Sequence, residues 1–198
     1  GDTRVKTEFL DHTVFIQLRI DPYHWTTALA HPEVASVMER EAQRMLDHKV
    51  ALVHGDYSPK NIFITGKGRP LLLVDFEVVH YGNPVFDLAF CVNHLFLKSI
   101  YNAPLRGLYF QAVRSFWDAY RQEAGPADPH CLERDTIKQI GCLMLARIDG
   151  KSPVEYIQAP ATKDLVRGVS KQLLLGDYTR LDEVARLIDT RLTAAVGA

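Results

Sequence analysis

The run His54-Gly55-Asp56-Tyr57-Ser58-Pro59-Lys60-Asn61, followed 14 residues after Asn61 by Asp75-Phe76-Glu77, decides how this chain is read. Ala51-Leu52-Val53 precedes the run and Ile62-Phe63-Ile64 follows it, both short apolar stretches of strand type. Gly66-Lys67-Gly68 makes a turn, and Leu71 to Val74 forms a third apolar strand that ends at Asp75. The spacing predicts a hairpin pairing 62–64 with 71–74, inside a β element over residues 51–77. Its polar residues sit at strand ends, where a rigid scaffold places side chains accurately and leaves them open to a ligand.

Outside that element the pattern is helical. Phe9, Leu10, Val14, Phe15 and Leu18 fall at three- and four-residue spacings and predict a helix over 7–20, interrupted by Pro22. Pro32 fits a first helical turn, and Val34, Val37, Met38, Ala42, Met45 and Leu46 mark one face of an amphipathic helix ending near His48. Beyond Pro84 the periodicity predicts helices over 85–100, 104–122, 130–148, 161–175 and 179–192, broken at Gly125-Pro126, Gly150 to Pro153 and Gly176. The expected class is therefore mainly α with a small β-hairpin element (α+β), in one domain over 1–198.

Composition narrows the function. Apolar residues make up 47% and charged residues 24% of 198, as in an ordinary globular chain, which excludes disorder and fibrous repeats. The 23 Lys and Arg nearly balance the 24 Asp and Glu, so the basic footprint of a nucleic-acid binder is missing. Cys91, Cys131 and Cys142 are odd in number and have no CxxC spacing, which fits reduced core thiols of a cytoplasmic protein. No apolar run approaches the roughly 20 residues of a membrane span, and Gly1 to Glu8 is too polar for a signal peptide, so no membrane partner is expected. A start at Gly1 rather than Met suggests part of a longer polypeptide.

The chemistry points to oxygen ligands. A tight hairpin brings Asn61 and Asp75 side by side, and one amide oxygen plus one carboxylate suits Mg²⁺, which keeps several waters and takes its other ligands from substrate phosphates. Asp56, five residues before Asn61 in a loop turned by Gly55 and stiffened by Pro59, stands off the metal and is free to accept a proton. That set serves phosphoryl transfer, where the protein mainly positions groups and neutralises charge on the phosphate oxygens. His54 reads as a loop-bracing residue. His24, His31, His80, His94 and His130 have no metal-ligand spacing and read as surface or satisfied histidines, and Phe116, Trp117 and Tyr120 as a core stripe.

His54-Gly55-Asp56 with Asn61, then Asp75, resembles the H-[RG]-D-x-x-x-x-N and D-F-x pair of kinase-like phosphotransferases. The HGD form, with Gly82-Asn83-Pro84-Val85-Phe86-Asp87-Leu88-Ala89 downstream, is similar to the aminoglycoside phosphotransferase and choline kinase superfamily. The resemblance implies the C-terminal lobe of a kinase-like fold, its N-terminal lobe absent, with Asp56 as catalytic base. It implies Asn61 and Asp75 as ligands of Mg²⁺ and thereby of ATP, the co-substrate, and Asp87 as an acceptor for loop N–H groups. The transferred γ-phosphate would go to a hydroxyl of a small molecule, and the lobe alone would be inactive.

Several residues keep two readings. Lys60 matches no universal family position and is either a phosphate contact or a surface charge. Glu77 supports a second metal or only the loop. The polar stretch Arg147 to Tyr156 is a solvated interhelical loop or a face toward the acceptor. Two other functions compete: a non-catalytic pseudokinase-like scaffold, and a metal-dependent phosphohydrolase using Asp56, Asp75 and Glu77.

Overall fold

The computed structural model describes residues 3–66, 68, 71–124 and 129–196, without side chains at 3, 129–131 and 196. Gly1, Lys67 of the expected turn, the Gly125-Pro126 break, Asp128 and the side chains of His130 and Cys131 lie outside the described residues.

The chain is mainly helical with two small antiparallel sheets. In order come α1 (Thr3–Glu8), α2 (Thr13–Phe15), a π-helical segment (Ile16–Trp25), α3 (Thr26–Ala30), α4 (Ala35–Asp47), β1 (Ala51–Val53), β2 (Ile62–Ile64), β3 (Leu71–Leu73) and β4 (His80–Gly82). Then follow α5 (Val85–Tyr101), α6 (Arg106–Glu123), α7 (Pro129–Asp149), α8 (Pro160–Leu175) and α9 (Leu181–Val196).

The interruption that the ring chemistry of Pro22 predicts does not occur; the run continues from Thr13 to Ala30 through the π-helical segment. The segment has the wider π spacing, seen where the Thr26 N–H reaches back five residues to the Asp21 carbonyl. The helix predicted over 7–20 is in fact split, since residues 9–12 leave the helix and run beside β4: Tyr81 N–H donates to Phe9 O (2.6 Å) and His12 Nε2 lies 2.9 Å from Tyr81 O.

The predicted hairpin forms, with Ile62 opposite Leu73, Phe63 opposite Leu72 and Ile64 opposite Leu71. The second pairing, β1 with β4, sets Val53 opposite His80. His80-Tyr81-Gly82 carries no apolar alternation and runs into Asn83-Pro84, so its local sequence reads as a turn.

The core is built around α5 and α7. Phe86, Ala89, Phe90, Val92, Phe96 and Leu97 of α5 are buried against Ile137, Ile140, Leu143 and Met144 of α7 and the inner faces of α8 and α9. On its other side α7 meets α3 and α4 through Cys142 and Leu145, which pack with Ala28, Val34 and Met38. Lys138 closes the C-terminus of α8 by donating to the carbonyls of Leu173, Leu174 and Gly176. No helix among the described residues is long and apolar enough to cross a membrane.

Candidate active site

The catalytic-loop candidate leaves β1 and turns at once. Gly55 sits at φ +78°, and a Cβ there would lie 2.7 Å from the Val78 carbonyl oxygen, so both conformation and space demand glycine. The N–H groups of His54 and Gly55 donate to the two carboxylate oxygens of Asp87 at 2.7 and 2.9 Å. Asp87 lies in the first turn of α5, so the loop is fixed to the central core helix. Burial outweighs those donors and raises the Asp87 carboxyl to about 6.

His54 pins the other side. Its Nδ1 accepts from Asp56 N–H (3.2 Å), which leaves the proton on Nε2 for the Val74 carbonyl at 3.0 Å. Both ring nitrogens are thereby spent on backbone, the bracing role the sequence suggests. Pro59–Asn61 forms a single 3₁₀ turn that delivers Asn61 back beneath Asp56. There the Asn61 Nδ2 group donates to the Asp56 carbonyl (2.9 Å) and to Asp56 Oδ2 (3.0 Å).

Asp56 and Asn61 are both buried, 5% and 6% exposed, and two cations flank the carboxylate. Lys60 Nζ is 3.2 Å from Asp56 Oδ2 and Arg19 Nη2 is 3.5 Å from it. Arg19 also donates through Nε to the Gly55 carbonyl at 2.6 Å and sits over the Phe90 ring. Arg19 is the residue sequence reasoning misses. It comes from the π-helical segment, 37 positions before Asp56, inside a run whose spacing signals only a helix.

Asp75 follows the hairpin. Val74 N–H donates to Asn61 O (3.1 Å), so Asp75 stands one residue beyond the rung that joins Asn61 to the returning strand. Its φ of +71° puts it in the left-handed region, which Asp tolerates better than most residues and which marks positions where geometry serves something other than stability. Asp75, Phe76 and Glu77 are all exposed. The structure thus joins Asp56 to Asn61 directly and brings Asp75 beside Asn61 through the backbone, its carboxylate toward solvent.

The remaining histidines are mostly buried. His24 lies 3.1 Å from Gln139 Oε1, His31 2.9 Å from Asp149 Oδ2, and His80 Nδ1 2.9 Å from Val78 O. Trp117 is in the core, with Phe116 and Tyr120 partly buried against it, and the Tyr57 and Phe116 rings meet at 6.2 Å.

A phosphotransferase family model (APH) matches residues 11–125, more than half of the chain and all of the elements that build this site. The chain belongs to this phosphotransferase enzyme family. No curated protein matches it at a significant level.

Proposed function

We propose that the chain is the C-terminal, kinase-like lobe of an enzyme that moves the ATP γ-phosphate to a hydroxyl of a small molecule. The observation that carries this reading is the Asp56 carboxylate, buried and held at 3.0 Å by the Asn61 amide on a loop anchored by Asp87. A carboxylate fixed in that way has the geometry of a base that receives a proton late in a loose phosphoryl transfer.

The donor set fits Mg²⁺. The Asn61 Nδ2 group is committed to Asp56, which turns its amide oxygen the other way, and the exposed Asp75 carboxylate follows one residue past the Asn61 rung. Among the described residues no three His, Cys, Asp or Glu side chains gather into a metal cage. A sparse, all-oxygen pair suits a cation that draws its other ligands from water and phosphate. Asn61 and Asp75 would hold the ion, which would supply neutralisation of charge developing on the phosphate oxygens.

The residues of the chain do the rest. As the acceptor oxygen bonds to the γ-phosphorus and the bond to ADP breaks, Asp56 Oδ takes the hydroxyl proton. Arg19 and Lys60 hold the carboxylate in place and offset its charge at the moment the anionic γ-phosphoryl group approaches. ATP itself needs a nucleotide-holding lobe: among the described residues no glycine-rich phosphate loop precedes Asp56, and the hairpin presents Phe63, Ile64, Leu71 and Leu72 outward.

The test is Asp56→Asn in the chain joined to the proposed nucleotide-holding lobe, with Mg·ATP and a panel of amino sugars, amino alcohols, sugars and hydroxy acids. Loss of turnover by roughly 10²-fold or more, with ATP affinity kept, supports the base role. Unchanged turnover removes it.

A further inference from the structure

One face of α5 leads away from the catalytic loop. Asp87, Cys91, His94, Lys98 and Tyr101 recur at three- and four-residue spacings and therefore line a single stripe. Asp87 holds the loop, and Lys98 lies about 16 Å further along the helix at ~1.5 Å per residue. At that far end the Lys98 ammonium sits over the Tyr156 ring, 5.2 Å from its centroid, and Tyr101 meets the same ring edge-on.

Arg147, from the last turn of α7, arrives at the same place. Its Nη1 donates to Ser152 O (2.6 Å) and Ser152 Oγ (2.9 Å) and reaches Tyr23 Oη at 3.4 Å, all neutral acceptors. The loop after α7 wraps the guanidinium, with Val154 N–H on the Arg147 carbonyl at 2.8 Å. It packs on the π-helical segment so closely that a Cβ at Gly150 would stand 2.8 Å from Pro22 O. The segment that carries Arg19 to Asp56 therefore also supports the loop that holds Arg147.

Two polar atoms here are buried without a partner, Arg147 Nε and Tyr156 Oη. A guanidinium Nε–H can only donate, and a phenol hydroxyl can donate as well. Among the described residues neither Arg147 nor Lys98 is paired with a carboxylate; the nearby Asp21 is taken by Lys151, and Asp149 by Arg167 and His31. His94, halfway along the stripe, feels Arg147, Lys98 and Lys60 as cations and Asp56 as the opposing anion, so these groups share one electrostatic space. Burial first, then those cations, press its imidazole down to about 4, which leaves the ring neutral near pH 7.

We propose that Arg147, Lys98 and Tyr156 form the acceptor's docking site for an oxyanion, a carboxylate or a phosphate, so that the phosphorylated hydroxyl belongs to an anionic small molecule and not to a polycation. Two cations without a carboxylate partner and two orphaned polar atoms border the same end of the stripe, the complement that an oxyanion group calls for. A polyamine or amino sugar would meet like charge there. The stripe gives such a molecule its orientation, with the anion held at the Lys98 end and the hydroxyl toward Asp56.

The proposal rests on the phosphoryl-transfer reading for the word acceptor, but the docking site is testable without turnover. Inorganic phosphate, L-malate and putrescine are titrated separately into the ¹⁵N-labelled chain while the Arg147 Nε–H resonance is followed. Saturable shifts with phosphate, malate or both support the site and tell which oxyanion it prefers. Because Arg147→Gln removes that resonance, anion affinity in the variants is read by titration calorimetry; Arg147→Gln should weaken it ~10-fold or more, the scale of a lost charge-assisted hydrogen bond. Lys98→Gln, a change at a half-exposed position, guards against misfolding of the Arg147 variant and should weaken it in the same direction. No shift with either anion, or a response to putrescine alone, overturns the proposal. Asp56→Asn should leave the titration intact, so a failed base assignment and a failed docking site give different results.

Discussion

The two loops that close the site are built in opposite ways. From His54 to Asn61 the polar groups are mostly paired, the buried Ser58 Oγ excepted: Asp87 holds two N–H groups, both His54 nitrogens are used, and Asn61 clasps Asp56. From Asp75 to Glu77 the side chains are exposed, as are Phe63, Ile64, Leu71 and Leu72 of the hairpin before it, Ile64 at 81%. The difference separates two jobs. On the proposed reading, proton acceptance would need a carboxylate whose position does not change, whereas the side of Asp75 would stay open until phosphates supplied the missing ligands.

Four changes would break or sharpen that contrast. The largest effect is expected for Asp75→Ala, which touches the open side. Turnover should fall roughly 10²-fold or more, because a bound divalent cation supplies several kcal/mol of charge stabilisation, while thermal stability stays level. Steady-state kinetics across a Mg²⁺ titration checks it; a loss of stability with full activity would place Asp75 on the structural side.

Next comes Gly55→Ala on the pinned side. A left-handed alanine whose Cβ meets the Val78 carbonyl should cost about 2 kcal/mol or more, read by urea unfolding. A wild-type midpoint would mean that the loop is looser than its hydrogen bonds indicate.

Asp87 gives a pH signature. Its carboxyl is raised from an ordinary 3.8 to about 6, so the folded chain holds the proton more tightly than the unfolded chain. Its contribution to stability is complete below about pH 4 and is lost as pH rises through about 6. The stability of the wild type minus that of Asp87→Asn should therefore shrink between pH 4 and 7 in urea titrations. A growing difference would show that the two N–H donors outweigh burial.

The smallest effect belongs to Ile64→Lys. An exposed hairpin side chain of this kind should change stability by no more than about 0.5 kcal/mol. A larger drop in the isolated chain would give the hairpin a packing role that its exposure does not suggest.

What could be read in advance follows the same division. The hairpin, the helices after Pro84 and the Asp56 loop were legible because each is written in local sequence: strand-ending polar residues, three- and four-residue apolar spacing, and a spaced motif. Asp87 was legible through its own motif, and its backbone bonds are where that motif puts them. Arg19 was not, because its approach to Asp56 depends on a helix continuing through Pro22, which the ring's usual effect argues against. β4 was hidden because three residues without alternation become a strand only when β1 lies beside them. Arg147 and Tyr156 lie in a polar stretch with two sequence readings, a solvated loop or a face toward the acceptor; only packing sets Tyr156 under Lys98 and buries Arg147 Nε.

The central claim is that Asn61 and Asp75 face one divalent ion beside Asp56. Mn²⁺, added in trace amounts with ADP to the ¹⁵N-labelled chain joined to the proposed nucleotide-holding lobe, tests it most directly. The Asn61 side-chain amide and the Asp75 backbone amide should broaden first, and Asp75→Ala should abolish the effect. Broadening centred on another part of the molecule, with those two signals untouched, would contradict the account.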